Sequence, residues 1–292
     1  MRELPALVAV DRIERIKALD PAVKAYKKAI DWVFRDPAVR DALHGVWLGH
    51  PLHPVLVQVP LGAWISASVL DLLPGNRSGA RRLVGLGVLA VVPAAASGGV
   101  DYSDLQPRHQ RVGIVHAAGN VVAATLQLAS WRARGRGRQA RGAGLSLAAL
   151  SISGATAYLG GHLAFRQAAG VNHAEEAPHL LPEEYTRLTT LDELPDGEPV
   201  RLTVNEAPVF VLRRGRGVDA LYDHCSHLSG PLSGGTLSGS GDELCVTCPW
   251  HGSRFRVRDG AVLGGPTTHP QPALDVAVDP DGTVLVRLRQ EG

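Results

Sequence analysis

Four stretches of this chain contain no Asp, Glu, Lys or Arg: residues 42–70, 83–100, 112–131 and 142–165. They are 29, 18, 20 and 24 residues long, and about 20 apolar residues cross the hydrocarbon core of a bilayer as a helix. The pattern excludes a simple soluble protein and predicts transmembrane helices near 54–73, 83–100, 112–131 and 143–165. Pro60 and Pro93 fall inside two of them, a position membrane helices tolerate better than soluble ones. The connecting segments PGNRSGARR, DYSDLQPRHQR and RARGRGRQAR are short. Short loops force an up-down-up-down bundle, with both of its ends on one side of the bilayer. The first and third loops carry eight Arg, a bias that places them in the cytoplasm. The charged N-terminus, without an export signal, argues for the opposite orientation.

Charge and composition narrow the class further. With 30 Lys and Arg against 28 Asp and Glu, the net charge is only +2, which gives nucleic-acid binding no electrostatic support. Three cysteines cannot build a disulfide framework. The first twenty residues, MRELPALVAVDRIERIKALD, are charged throughout and lack the apolar core of a signal peptide. Residues 1–45 read as amphipathic helices, with Asp20-Pro21 and Asp36-Pro37 as N-terminal signals. Val23, Tyr26, Ile30, Val33 and Phe34 share one face of the middle helix. After a four-helix transmembrane domain at 46–168 and a linker at 169–184, the sequence changes character. Runs such as PVRLTV, APVFVLRR, DELCVT and TVLVRL alternate with Asp-Gly turns and predict a small antiparallel β domain at 185–292. The expected fold class is therefore multidomain α and β.

The β domain carries the most specific motif. Cys225-Ser226-His227 precedes Cys248-Pro249-Trp250-His251-Gly252 by twenty residues. Each pair offers one thiolate and one imidazole from a tight loop. Such a set suits a Cys2His2 zinc site or a [2Fe–2S] centre with two Cys on one iron and two His on the other. With the CPWHG loop, Phe255 and the Gly264-Gly265-Pro266 turn, residues 185–292 resemble the Rieske ferredoxins. That resemblance implies Cys225 and Cys248 on one iron and His227 and His251 on the other. Rieske subunits of cytochrome bc complexes add a disulfide between the two loops, but Gly230 and Trp250 stand at the corresponding places here. Ser253 matches the serine of the bc-type sequence, which implies a hydrogen bond to a cluster sulfur and a raised potential. Cys245 falls in a strand and reads as a small core residue.

Eight histidines precede the β domain, and the bundle topology puts all of them on the side from which that domain leaves. His53, His116 and His162 lie at or just inside span boundaries, where ionisable groups are costly and usually functional. They are the candidate ligands of a cofactor in the bundle, haem b above all. Another metal, a quinone site and plain interfacial hydrogen bonding remain alternatives. Gly119, Gly160 and Gly161 would leave room beside them. HPLHPVLVQVPLGAW, with HAAGN and GGH later, resembles an uncharacterised family of four-helix membrane proteins over roughly 45–166.

These features together predict a membrane-anchored one-electron transfer protein, an oxidoreductase component rather than a stand-alone enzyme. Its partners would be the lipid bilayer and a redox protein or quinone. Only 41 residues follow His251, too few for the mononuclear-iron domain of a Rieske oxygenase. A ferredoxin-like donor to a separate oxygenase and a redox-sensing membrane protein are the alternative readings.

Overall fold

The computed structural model describes residues 5–290; residues 1–4 of the predicted arm and 291–292 of the predicted β domain lie outside the described residues. The chain divides into two compact units. One takes residues up to 43 with 51–169, the other 44–50 with 170 onwards.

In the first unit, α1 (Pro5–Arg15), α2 (Asp20–Val33) and most of α3 (Pro37–His44) precede the long helices. Asp36 caps α3 as expected, its Oδ1 accepting from the Ala38 amide at 2.8 Å. Asp20 does not cap α2. A 3₁₀ turn at Lys17–Leu19 leads straight into that helix, so Asp20 lies in its first turn. Its carboxylate instead accepts from the Arg111 guanidinium at 2.7 Å. Of the predicted face of α2, Val23 is buried, whereas Val33 at the last turn is 57% exposed.

The first span combines α4 (Leu52–Leu56) and α5 (Gln58–Asp71). The others are α6 (Arg77–Ser103), α7 (Pro107–Gly135) and α8 (Gln139–Gly161), the last extended by a π turn through Arg166. All four are long and apolar enough to cross a membrane. They run past the uncharged windows because arginine favours helix, and its long stem lets the guanidinium reach polar surroundings from a helix end. The predicted Arg-rich loops thus shrink to residues 72–76 and 136–138.

Arg134 is the exception, its residue only 2% exposed. Its Nη2 donates to Asp71 Oδ2 at 2.6 Å and its Nε to Ser130 Oγ at 3.1 Å. Ser130 donates to the Gly142 carbonyl, and Ser146 to Gln127 Oε1 at 2.9 Å. This polar network ties α5, α7 and α8 together at one end of the bundle.

Among the described residues the second unit contains α9 (Ala177–Leu180) and ten strands: β1 (Thr186–Thr190), β2 (Pro199–Val204), β3 (Ala207–Arg214), β4 (Gly217–Tyr222), β5 (Thr236–Ser238), β6 (Cys245–Thr247), β7 (Arg254–Arg256), β8 (Val262–Gly264), β9 (Ala273–Val278) and β10 (Thr283–Leu288). Six form an antiparallel sheet in the order β1-β10-β9-β4-β3-β2, and β5-β6-β7-β8 form a second. The continuous apolar run of β3 is explained by two cores. Val209 and Val211 enter one with Tyr222, Leu274, Val284 and Val286. Phe210 and Leu212 enter the other with Leu232, Val246 and Phe255. Successive side chains of a strand point to opposite faces, so a strand covered on both sides loses its polar alternation. Ala174, Ala177 and Leu181, inside the predicted linker, belong to the first core. Much of that segment is therefore packed structure.

Candidate functional site

Two loops form the site in the β unit. The first leaves β4, whose register is fixed by pairing with β3 and β9, and carries Cys225 and His227. The Cys225 amide donates to the Gly230 carbonyl and the Ser229 amide to the Cys225 carbonyl, closing a tight turn. Buried Asp223 holds the far end through the Ser233 amide, at 2.6 Å. The second loop joins β6 to β7 and carries Cys248 and His251. Its turn closes with the Cys248 amide on the Ser253 carbonyl and the Gly252 amide on the Cys248 carbonyl. Gly252 has φ +80°, a conformation that side chains rarely adopt.

The loops meet at their tips. The Cys225 and Cys248 thiols are both buried, and each is the strongest influence on the other's ionisation. The His227 and His251 rings lie edge to face with centroids 5.1 Å apart. Two thiols competing for one buried space cannot ionise alike. Cys248 and burial push Cys225 up, while Cys225 draws Cys248 down against burial. Other polar groups favour the thiolates: the His227 amide and Ser253 hydroxyl lower Cys225, and the Trp250 and His251 amides lower Cys248. Two sulfur and two imidazole donors, with amides that favour the thiolates, fit a [2Fe–2S] cluster.

Gly230 is a steric requirement of this packing. A Cβ there would stand 2.8 Å from Cys248 Sγ and 3.0 Å from the Trp250 ring. The inter-loop cysteine of the bc type could not occupy this backbone without rearrangement.

Three supporting residues have no local sequence signal. Gln271 is buried and accepts from the Ser226 amide at 3.0 Å while donating to the Tyr222 and His224 carbonyls. It pins the first loop to the segment before β9. Thr267 bonds Ser226 Oγ at 2.9 Å, and its amide donates to Ser253 Oγ. With Asp223, these are polar residues in loops, and only their burial marks them. Cys245 lies in the core, where burial pushes its thiol up and makes it unreactive.

The comparisons with known proteins fall on the same two regions. The model of the Rieske [2Fe–2S] domain matches residues 184–278. The ferredoxin subunit of anthranilate 1,2-dioxygenase from Burkholderia cepacia is 31% identical over 105 residues, covering 36% of this chain and 93% of that protein. Ferredoxin CarAc of Metapseudomonas resinovorans is 37% identical over 83 residues, covering 28% and 73%. This chain belongs to the Rieske [2Fe–2S] family. Among solved structures, the ferredoxin of carbazole 1,9a-dioxygenase from Nocardioides aromaticivorans is 36% identical, covering 36% of this chain and 98% of that one, with a TM-score of 0.33. Membership implies a [2Fe–2S] cluster and an electron-transfer role. A predicted membrane protein family, DUF2231, matches residues 49–173, so the Rieske domain follows a membrane domain.

Within that membrane domain the three singled-out histidines part company. The His53 and His116 rings lie 6.5 Å apart in an edge-on arrangement. His53 Nδ1 is 2.9 Å from the Ala94 carbonyl and His116 Nδ1 is 2.8 Å from the Thr156 carbonyl. A carbonyl only accepts, so both Nδ1 atoms carry a proton. Asn120 donates to His116 Nε2 at 3.0 Å and accepts from the Thr156 hydroxyl at 2.7 Å, fixing that tautomer.

Each ring fits a notch made by a glycine one helical turn beyond its carbonyl partner. A Cβ on Gly98 would lie 2.6 Å from the His53 ring, and one on Gly160 would lie 3.2 Å from His116. Gly119 faces Thr156 instead, and Gly161 faces Phe165. His162 has a different partner, its Nε2 lying 3.1 Å from Glu14 Oε1 on α1.

Proposed function

We propose that this chain is a membrane-anchored one-electron transfer protein of the cell membrane. Residues 46–168 form its lipid-embedded four-helix domain, 1–45 an amphipathic arm, 169–184 the connection and 185–292 the electron-carrying domain. Cys225 and Cys248 hold one iron and His227 and His251 the other. The pairing of the two thiols beside the two imidazoles, at the tips of converging loops, carries this reading. The cluster, when bound, supplies one-electron exchange at a potential raised by its neutral imidazole ligands. The residues around it tune that exchange. Each amide or hydroxyl directed at a sulfur favours the more negative, reduced state.

The electron's other station lies in the bundle, where His53 and His116 form a site for haem b or a quinone. Metal-binding imidazoles characteristically donate their second N–H to a backbone carbonyl, as both do here. His162, the third expected ligand, is engaged by Glu14 and does not enter this pair. A separate oxygenase is the alternative partner, supported by relatives named as ferredoxins of dioxygenase systems. Trp250, 52% exposed beside His251, would offer it an apolar contact.

Low-temperature EPR of the dithionite-reduced protein tests the cluster. A mean g value clearly below that of all-cysteine clusters is expected, and stoichiometric zinc without iron in protein made with ample iron would refute it. For the bundle, a haem Soret band lost in His116→Ala, or cluster reduction by a quinol that is lost in the same variant, is expected. A colourless membrane domain that leaves quinol unoxidised would assign the electron to a soluble partner.

A further inference from the structure

We propose that Asp11, Glu14 and His162 form a binding site for a divalent transition metal of the zinc class, distinct from the cluster and independent of the function proposed above. Asp11 and Glu14 are three residues apart on α1, so their carboxylates lie on one helix face. His162 follows α8 and opens the π turn that extends it. One donor atom from each of the three lies within 4.8 Å of the others. The two carboxylates are half-buried, and the imidazole, only 6% exposed, is aimed at them.

The state of His162 separates this cluster from ordinary surface acids. Its Nε2 points at Glu14, and among the described residues its buried Nδ1 has no hydrogen-bond partner. No tautomer satisfies the ring. If Nε2 carries the proton, the Nδ1 lone pair is buried unmatched. If Nδ1 carries it, a lone pair faces a carboxylate and the buried N–H has no acceptor. In that second form a cation between Nε2 and the two carboxylates replaces the lone-pair repulsion with attraction, while the Nδ1 N–H stays without an acceptor among the described residues. Asp11 also meets Arg166, but at 3.8 Å through a guanidinium that is more than half exposed and free to yield.

The donor set selects the metal. One imidazole and two carboxylates suit zinc or its first-row neighbours, while calcium and magnesium prefer oxygen alone. Zinc ligands stand about 2.0–2.2 Å from the ion, so binding would draw the three side chains slightly closer than in the metal-free geometry. Three protein ligands leave a fourth position for water. The bound ion would clamp α1 onto the end of the last span.

The test uses the full-length, cluster-loaded protein in detergent, exposed to zinc and then passed through metal-free buffer. One retained zinc per chain is expected, with nitrogen and oxygen but no sulfur around it by X-ray absorption at the zinc edge. Asp11→Asn and Glu14→Gln should each weaken zinc binding more than about tenfold, because loss of a direct ligand costs at least as much as loss of an outer-shell partner. Cluster iron should stay unchanged in both. No retained zinc, sulfur in the zinc shell, or binding unaltered in both variants would overturn the site. If the variants fail to fold, the wild-type absorption spectrum decides alone.

Discussion

The β unit and the helical unit orient their imidazoles by opposite means. His227 and His251 each lie within three residues of a cysteine, on loops whose own backbone hydrogen bonds set the geometry. His53 and His116 stand on separate helices, and each is aimed by a carbonyl and a glycine belonging to yet another helix. A loop site needs its strands to be in register and little else. A helix site exists only when several helices pack at the right height and rotation. The first site should therefore survive insults to the bundle, and the second should be sensitive to small changes in helix packing.

The largest effect expected is from Cys248→Ser, which removes one sulfur donor and should abolish the g < 2 EPR signal. The thermal transition of the helical unit, followed by circular dichroism in detergent, should stay where it was. A common collapse of both would mean that the two units do not hold their sites independently.

Asp71→Asn probes the reverse case. It leaves the Arg134 charge buried without its counter-ion, a loss of about 3–5 kcal/mol when one partner of a buried pair is removed. The helical transition should fall sharply while cluster absorption keeps its intensity per folded protein.

Gly230→Ala strains the β unit alone, because its Cβ would press on Cys248 Sγ. Overpacking of this kind costs about 1–3 kcal/mol. Iron content should drop and chemical unfolding should begin at lower denaturant, with no change in the bundle.

The smallest effect is that of Ser253→Ala. It removes a hydroxyl that favours the Cys225 thiolate and should lower the midpoint potential by tens of millivolts with the cluster retained. For a one-electron couple, about 59 mV is a tenfold change in equilibrium constant. An unchanged voltammetric midpoint would mean that the hydroxyl does not act on the cluster.

Sequence alone determined what depends on local chain chemistry. Apolar length without charge is enough to define four membrane-length helices, because the cost of a charge in hydrocarbon acts residue by residue. The C-x-H and C-x-x-H pairs were legible because their donors are neighbours along the chain. Helix ends were misplaced where arginine, a good helix former, follows an apolar run. The supports of the cluster loops were invisible for another reason. Gln271 reaches Ser226, Tyr222 and His224 across a long stretch of chain, and nothing in its immediate sequence marks it as buried.

The membrane histidines were recognisable as unusual, but similar depth along three helices says nothing about rotation around their axes. Tertiary packing decided that His53 and His116 meet and that His162 turns to Glu14. At 3.6 residues per turn, neighbouring positions on a helix differ by about 100° in direction. Only packing against the other helices selects which of those directions faces another imidazole and which faces a carboxylate.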